Sequence, residues 1–287
     1  MPAKRSPICA SNSAGERVSG VRAQRKGKAA EFRAKSVVLA SGGFEANPEM
    51  RTRYLGPGWE LAKVRGSRFN VGDQFQKHSY IFGLLINASG KRFVDEGWDF
   101  HSFTYAKYGG EVLKQEGQFA WQVFDSKVTK LLRSEYRIKF MTKVSANTLE
   151  ELAPKLEGVN AQQFLKTVKD FNAAVKKDVK FDHTIKDGKG TVGIEPQKSN
   201  WAQPLDTPPY DAYMTTCGIT FTFGGLRIDK ETGQVLDVNF HPIAGLYTAG
   251  EMVGGLFYFN YPSGTGLVSG AVFGKLAGAS AGKAAKT

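Results

Sequence analysis

Residues 36–44 read SVVLASGGF, an apolar strand followed at once by a glycine turn. The run Val37–Ala40 has no polar interruption, which is typical of a strand buried on both faces. Ser41-Gly42-Gly43 then ends the strand, because glycine allows a tight turn and a close approach to the backbone. In doubly wound α/β proteins a dinucleotide lies beyond the carboxyl end of such a strand. The stretch therefore predicts an α/β fold with a nucleotide site.

The flanking segments indicate further strands and a helix. Residues 17–24 and 31–35 alternate apolar and polar side chains on either side of Gly27, which predicts a β-hairpin. Asn47-Pro48 supplies a helix cap and a first helical position. Residues 245–251, GLYTAGE, are again a short strand that ends in glycine.

The middle of the chain is more helical than its ends. Asn160 caps a helix in which Phe164, Val168, Phe171 and Val175 form one apolar stripe. A helical middle between strand-rich ends predicts a second domain inserted into the first. The other predicted elements are a strand at 80–87, a capped helix after Asn147-Thr148, a polar loop at 176–209 and strands within 218–236.

Composition indicates a globular protein and gives a weak indication of its compartment. Hydrophobic residues make up 41% of the 287 residues and aromatic residues 12%, which excludes a disordered chain. The two cysteines cannot form a disulfide framework or a zinc site by themselves. Residues 1–18 lack the apolar core of a secretory signal, and no apolar run is long enough to span a membrane. A cytoplasmic location is therefore expected, with a mitochondrial leader as the alternative.

The formal net charge is +12, and many of the early residues are basic. One interpretation is nucleic-acid binding. The other is a solvated hairpin or a preference for anionic ligands such as dinucleotides and polycarboxylates. No nucleic-acid-binding motif is present, which favours the second interpretation and predicts no nucleic-acid partner.

Residues 259–278 read FNYPSGTGLVSGAVFGKLAG, a predicted helix with regularly spaced glycines. Each glycine inside a helix costs roughly 0.5–1 kcal/mol relative to alanine, so the spacing needs a reason. A membrane helix pair, a sheet or ligand packed on the helix, and tight packing in a soluble protein are the alternatives, and the polar residues Ser263, Ser269, Lys275 and Ser280 disfavour the first. The glycines are Gly266, Gly270, Gly274, Gly278 and Gly282.

The amino end of this helix favours the ligand alternative. Residues 264–268 make up its first turn, whose backbone N–H groups carry a partial positive charge. Such an end stabilises an anionic atom. A reduced flavin is negatively charged near N1 and O2, so the pyrimidine edge of its ring would match the helix end.

Six segments in order carry a resemblance to a known family. Together they resemble the FAD-binding fumarate reductase/succinate dehydrogenase flavoprotein family, and within it the FAD-dependent tricarballylate dehydrogenase-like proteins. The likeness extends from about Arg17 to the end of the chain. The segments are ASGGF at 40–44, RGSRFNVGD at 65–73, GKRFVDEG at 90–97, GITFTFGGLRID at 218–229, GLYTAGE at 245–251 and NYPSGTGLVSG at 260–270.

The resemblance implies an α/β fold, with an incomplete Rossmann-like FAD-binding domain and an inserted α+β capping domain. Residues 1–75 and 214–287 would form the first domain, and residues 76–213 the second. The cofactor would be FAD. Its contacts would be Ala40, Ser41, Gly42, Gly43, Gly250, Glu251, Gly266, Leu267 and Val268, with Glu251 accepting from the ribityl or nearby hydroxyls and the last three offering backbone N–H groups to the ring.

Two departures from the family pattern indicate a truncated member. The family begins with a strand and a GxGxxG turn, and no such turn occurs before Ser36. The family also has several dozen residues between the segments that correspond to Gly72-Asp73 and Gln76–Tyr80, which are nearly fused here. The active-site histidine loop of the fumarate reductases falls in that missing part.

Residues at the reaction centre also differ from those of the fumarate reductases. Phe100, Phe221 and Tyr261 stand about where that group has its proton-donating arginine, a substrate histidine and a carboxylate-binding arginine. Fumarate reduction is therefore not expected. Tyr261 before Pro262 resembles instead the tyrosine of flavin-dependent 3-ketosteroid dehydrogenases.

Desaturation beside a carbonyl or carboxyl group needs a base, a hydride acceptor and a donor to the developing enolate. Tyr261 is the candidate donor, with a buried structural tyrosine as the alternative. His101 and Tyr105 are candidate proton carriers, although a lone histidine often has a structural role. Arg92 could bind a carboxylate or pair with Asp95 or Glu96.

Three hypotheses follow. The first is an FAD-dependent dehydrogenase that desaturates a small carboxylate such as tricarballylate, or a ketone, by hydride transfer to flavin N5, with an unknown electron acceptor. The second is a truncated, non-catalytic remnant or interaction module, and the third is a basic nucleic-acid-binding protein. The four histidines lack the spacing of metal ligands, so no metal is expected.

Overall fold

A computed structural model describes residues 17–25, 28–64, 79–137, 142–220 and 222–286. The strands are β1 (Gly20–Arg25), β2 (Lys28–Arg33), β3 (Val37–Leu39), β4 (Lys63–Val64), β5 (Leu84–Ile86), β6 (Phe119–Phe124), β7 (Lys143–Ala146), β8 (Tyr210–Thr216), β9 (Gly218–Ile219), β10 (Gln234–Leu236) and β11 (Pro242–Thr248). The helices are α1 (Pro48–Leu55), α2 (His101–Leu113), α3 (Leu149–Leu152), α4 (Ala161–Ala174) and α5 (Thr265–Lys286). This mixture of helices and sheets confirms the α/β prediction.

The chain divides into two compact units. The first unit comprises the described residues within Met1–Glu45, Phe221–Tyr258 and Ser263–Thr287. The second unit comprises those within Ala46–Thr220 and Phe259–Pro262. An insertion of one unit into the other was predicted from the order of elements, but the boundaries fall after Glu45 and Thr220 instead of after residues 75 and 213.

Packing around two short strands explains the different boundaries. β4 pairs in parallel with β9, with Lys63 opposite Gly218. Ala62, Cys217 and Ile219 form a buried cluster beside this pair. Arg51 of α1 is buried as well and donates to the backbone oxygen of Ala62 at 2.6 Å. These contacts hold both flanks, 46–64 and 214–220, in the second unit.

A three-stranded sheet, in the order β10-β11-β3, forms the centre of the first unit. β11 is antiparallel to β10 and parallel to β3, with Leu246 opposite Val37 and Thr248 opposite Leu39. Val18, Val37, Val235 and Leu246 make its buried core. β1 and β2 form the predicted antiparallel hairpin, in which Gly20 lies opposite Arg33.

Helix α5 packs on this sheet through alanines. Ala277 and Ala281 are buried in a cluster with Tyr247 and Ala249. One close approach is at Gly233, where an added Cβ atom would lie only 3.0 Å from the Cβ of Ala277. Three of the regularly spaced glycines of α5 do not make such a contact. Cβ atoms added at Gly274, Gly278 and Gly282 would meet nothing within 4 Å in the described chain.

An antiparallel sheet in the order β5-β6-β8-β7 forms the centre of the second unit. Helix α4 covers it, and the predicted stripe of Phe164, Val168 and Phe171 is buried in the core. The predicted cap is present, because the Asn160 side chain accepts from the Gln163 N–H at 3.0 Å. Thr148 caps α3 in the same way.

Two predicted strands are shorter than expected. Residues 80–82 form a turn of 3₁₀-helix, and only Leu84–Ile86 pair as a strand. Gly83 separates the two parts at a close approach, because a Cβ atom there would overlap the backbone oxygen of Val123. In the segment 218–223 only Gly218–Ile219 pair, and Phe221 lies outside the described residues. Within the described part of the chain, no helix combines the length and the apolar character needed to cross a membrane.

Substitution of Gly233 tests the contact between α5 and the sheet. Gly233 has a φ of 71°, and Gly255 of the same unit has a φ of 81° with open space around it. Gly255→Ala is the matched control and should cost about 1–2 kcal/mol through backbone strain alone. Gly233→Ala should cost about 1–3 kcal/mol more, because the added methyl group meets α5. Urea unfolding measures both losses, and equal losses would mean that the helix does not pack this closely.

Candidate functional site

Two predicted glycine turns meet at one edge of the first unit's sheet. Because β3 and β11 are parallel, their carboxyl ends lie side by side, and the turns 40–43 and 249–251 follow directly. The Ala249 N–H donates to the Leu39 oxygen at 3.1 Å. The Ser41 hydroxyl lies 3.1 Å from the sulfur of Met252. The structure thus brings together the six predicted residues Ala40, Ser41, Gly42, Gly43, Gly250 and Glu251.

The Glu251 carboxylate is held against the first of these turns. Its Oε1 accepts from the Thr222 N–H at 2.6 Å. A side chain at Gly43 would overlap both that oxygen and the Thr222 hydroxyl, which explains the glycine. Burial, together with the nearby Glu45 carboxyl, raises the pKa of Glu251 to about 6, against the opposing hydrogen bond from Thr222. The side chain therefore holds its proton more readily than an ordinary glutamate.

Glu45 is a member of this site that the sequence analysis missed. It follows the turn 40–43 directly, and its carboxyl contributes to the raised pKa of Glu251. Its Oε2 atom is buried, with no hydrogen-bond partner among the described residues. No sequence signal identifies this role, because one glutamate after a glycine turn is also a normal surface residue.

Backbone hydrogen bonds within the chain use two of the N–H groups at the amino end of α5. The N–H groups of Leu267 and Val268 both donate to the Gly264 oxygen, at 3.1 and 3.3 Å. These two amides, predicted to offer N–H groups to a ligand, therefore close the first turn of the helix. The side chains of Leu267 and Val268 are 83% and 61% exposed, so this turn presents an apolar surface.

In the second unit, helix α2 holds the segment with the candidate donor Tyr261. The Tyr261 side chain is 6% exposed, and its ring packs edge-on against Tyr105 with centroids 6.1 Å apart. The Asn260 Nδ2 donates to the Phe103 oxygen at 2.8 Å. The candidate donor Tyr261 therefore lies against Tyr105, the candidate proton carrier in the first turns of α2.

Asn260 was not predicted as a site residue. Because the Phe103 oxygen can only accept, the amide must direct Nδ2 towards it, and Oδ1 lies on the other side. That Oδ1 is buried and has no hydrogen-bond partner within the part of the chain that the structure describes. An unpaired buried acceptor destabilises the folded protein. A ligand that donates a hydrogen bond to this oxygen would recover that free energy.

His101 begins α2 and is half-buried. Its Nε2 lies 2.8 Å from an Nη2 atom of Arg133. A guanidinium can only donate, so Nε2 accepts and the ring proton is on Nδ1. Burial and the Arg133 charge lower the pKa of His101 to about 4. His101 is therefore neutral at physiological pH, with the acceptor nitrogen already engaged.

Arg92, the predicted carboxylate partner, is buried in an ion pair. Its Nη2 and Nε lie 2.5 and 3.1 Å from the two carboxylate oxygens of Glu96, and its Nη1 donates to the Pro196 oxygen at 2.7 Å. This is the second of the alternatives open from the sequence. Lys198 is buried beside them and donates to the Gly83 oxygen at 2.7 Å, and burial lowers its pKa to about 8.

Some predicted residues cannot be placed. Phe221 lies outside the described residues, as does the whole of the segment 65–73 that helps to carry the family resemblance. Among the residues that are described, no three histidine, cysteine, aspartate or glutamate side chains group in a way that could hold a metal ion.

Comparison with known proteins shows the family. Residues 71–267 match the model of the FAD binding domain. A protein of Shewanella frigidimarina named as a probable fumarate reductase is 32% identical to 87% of this chain, which covers 44% of that protein. The 3-oxosteroid 1-dehydrogenase of Mycobacterium tuberculosis is 29% identical to 85% of the chain, which covers 52% of that protein.

A solved structure agrees with these relatives. The open conformation of a flavocytochrome c3 fumarate reductase superposes on 95% of this chain with a TM-score of 0.65 and 28% identity. The chain covers 50% of that structure. It therefore spans about half the length of the proteins to which it is similar.

The setting of His101 can be tested by nuclear magnetic resonance. The ring resonances of His101 should stay constant between about pH 8 and pH 5.5, because the pKa lies well below the ordinary value near 6.5. Arg133→Leu should raise that pKa only part of the way, since the burial of the ring remains. Lys130→Leu is the control for loss of a nearby exposed cation. A histidine that titrates near pH 6.5 in the unaltered protein would contradict this description.

Proposed function

Since the chain belongs to the FAD binding domain family, we propose that it carries an FAD-dependent oxidoreductase activity of the fumarate reductase/succinate dehydrogenase type, dehydrogenating a substrate beside a carbonyl group. The pairing of β3 with β11 is the observation on which the proposal mainly rests, because it places Gly42, Gly43 and Glu251 at the edge where α/β sheets bind nucleotides. The chain spans about half of its relatives, so the activity of the whole protein is itself part of the proposal.

The residues at this edge fit a flavin nucleotide. At Gly42 an added Cβ atom would meet only Glu251 Oε2, at 3.7 Å, whereas the absence of a side chain at Gly43 lets Glu251 and Thr222 pack against the turn. The buried Oε2 of Glu45 and the Glu251 carboxyl are acceptors suited to the hydroxyl groups of a ribityl chain or a ribose. Leu267 and Val268 offer apolar contact through exposed side chains. We propose that these residues hold FAD.

FAD, when bound, supplies a hydride acceptor, its N5 atom. The protein must then orient the substrate and stabilise the negative charge that develops on its carbonyl oxygen. We propose that the Tyr261 hydroxyl donates a hydrogen bond to that oxygen and that Asn260 Oδ1 accepts one from the substrate. Tyr105 supports the Tyr261 ring and is the candidate proton carrier of α2.

His101 was predicted as a candidate proton carrier, but its hydrogen bond suggests a different role in the reaction. Its Nε2 accepts from Arg133, so it does not serve as the base through that nitrogen. The Nδ1–H group can donate a hydrogen bond. We propose that His101 positions the start of α2.

Two substrate classes are candidates. A small carboxylate such as tricarballylate follows from the sequence resemblance. A ketone is favoured by one observation about charge. The Arg92 guanidinium is already paired with the Glu96 carboxylate. The residues Asn260 and Tyr105, which lie next to Tyr261, are neutral. Neutral donors suit a ketone oxygen, and a polycarboxylate would require cations from elsewhere.

Purification of the chain and titration with FAD test the proposal directly. We expect a yellow protein with a flavin absorption spectrum that is bleached anaerobically by a 3-oxo compound or by tricarballylate. Bleaching by one class alone decides between the two substrates. A protein that stays colourless at every FAD concentration would favour the alternative of a non-catalytic remnant.

Substitution of Tyr261 tests the role of the proposed donor. Tyr261→Phe should lower kcat about 10²-fold, because one hydrogen bond to the developing oxyanion is lost. The FAD content should not change. Tyr54→Phe is the matched control, since Tyr54 is an exposed tyrosine of the same unit, at 59%. Full activity of Tyr261→Phe would assign that residue a structural role instead.

A further inference from the structure

The outer side of β2 is an open strand edge of the first unit. β1 and β2 pair with each other, and no other described strand pairs with β2. All six residues of β2 are exposed. An edge strand of this kind presents unpaired backbone N–H and C=O groups, which are a template for pairing with another strand.

The alternation of the backbone shows which groups of β2 lie at this open edge. The Ala34 N–H donates to the Ser19 oxygen at 3.0 Å, so the backbone of residue 34 points towards β1. Because the direction alternates along an antiparallel strand, the groups of the intervening residues point to the open edge instead. These outward groups belong to Ala29, Glu31 and Arg33.

Two rows of side chains cross the hairpin, one charged and one apolar. In the charged row, Arg22 lies opposite Glu31, with 3.9 Å between its Nε and the Oε1 of the glutamate. In the apolar row, Val21 lies opposite Phe32, whose side chain is 62% exposed. Phe32 therefore offers a largely uncovered aromatic ring beside the open edge.

The order of charges along β2 fits a second copy of the same strand. If two β2 strands run antiparallel about a two-fold axis through Phe32, Glu31 of each copy lies opposite Arg33 of the other. An axis through residue 31 would instead place two glutamates opposite each other, which is unfavourable. An axis through Ala30 would leave each glutamate opposite Ala29. The axis through Phe32 is therefore the one of these three that joins opposite charges.

The backbone and the apolar row fit the same arrangement. Glu31 and Arg33 carry outward N–H and C=O groups, so each pair across the axis can exchange two backbone hydrogen bonds. The two Phe32 residues meet at the axis, where Cα atoms of a pair without hydrogen bonds lie about 4.5 Å apart. The apolar row then continues from Val21 of one copy to Val21 of the other.

We propose that β2 is an interface between two copies of this chain, in which the two β2 strands pair antiparallel about an axis through Phe32. The product is a four-stranded sheet in the order β1-β2-β2-β1. The interface is small, and the other basic residues of the two hairpins repel each other, so the dimer is weak and reversible. The pairing does not depend on FAD or on the proposed oxidoreductase activity.

Two charge-reversal variants test the pairing of Glu31 with Arg33. Glu31→Arg sets cations opposite each other, and Arg33→Glu sets anions opposite each other. Each variant alone should have a dimer dissociation constant at least about tenfold higher than that of the unaltered protein, because two attractive pairs become repulsive. An equimolar mixture restores opposite charges at both pairs, so the mixed dimer should return to within about threefold of the unaltered protein. Sedimentation velocity over a series of concentrations measures these constants.

Glu231→Arg is the matched control, because Glu231 is an exposed glutamate of the same unit outside the hairpin. The substitution changes the net charge as much as Glu31→Arg does, and it should leave the dissociation constant unchanged. An unaltered protein that stays monomeric up to about 1 mM overturns the proposal. A mixture of the two reversal variants that associates no better than either one alone overturns it as well.

Disulfide cross-linking tests the position of the axis. In a Cys9→Ser background, Phe32→Cys brings two thiols to the axis at a Cα separation that a disulfide can span. The other cysteine, Cys217, is buried. Ala30→Cys is the control, because Ala30 lies on the same face of β2. Phe32→Cys should form a covalent dimer under mild oxidation at least about tenfold faster than Ala30→Cys. Equal rates, or faster cross-linking of Ala30→Cys, would overturn the proposed pairing.

Discussion

The parallel pairing of β3 with β11 is the constraint from which the candidate cofactor site follows. Each strand is short and ends in a glycine turn, and only a parallel register brings the two turns to the same edge. Thr248 reinforces the register, because its side chain donates to the Leu39 oxygen at 2.9 Å. Glu251 can then reach back to the turn at Gly43, where no side chain would fit.

The residues proposed to act on the substrate depend on a different element. The four residues 259–262 belong to the second unit, although the chain on either side of them belongs to the first. α2 holds them through the hydrogen bond that the Asn260 side chain donates to the Phe103 oxygen and through the packing of Tyr105 on Tyr261. The residues proposed to hold FAD thus belong to the first unit, and the residue proposed to donate to the substrate belongs to the second.

Much of this could be predicted from the sequence, because the informative features are local. The apolar run before Gly42, the Asn160 cap and the stripe of α4 are patterns that neighbouring residues fix. The ordered motifs also gave the family, which the match to residues 71–267 confirms. Tricarballylate as the substrate stays a prediction.

The remainder depends on contacts between residues far apart in the sequence. Arg92 could meet a substrate or Glu96, and only the fold shows that it meets Glu96. The orphan oxygens of Glu45 and Asn260 become visible only when burial is known. The pairing of β4 with β9 places residues 63–64 and 218–219 in the second unit. A strand of two residues is too short to show a periodic pattern in the sequence.

The ion pair of Arg92 and Glu96 has a consequence for how this protein can diverge. Both side chains are almost fully inaccessible, so loss of either one leaves the other charge buried without its partner. Removal of one partner from such a pair is far more harmful than joint replacement by well-packed apolar residues. Descendants of this chain should therefore change the two positions together, through a rare double step, and the pair will behave in evolution as one inherited character.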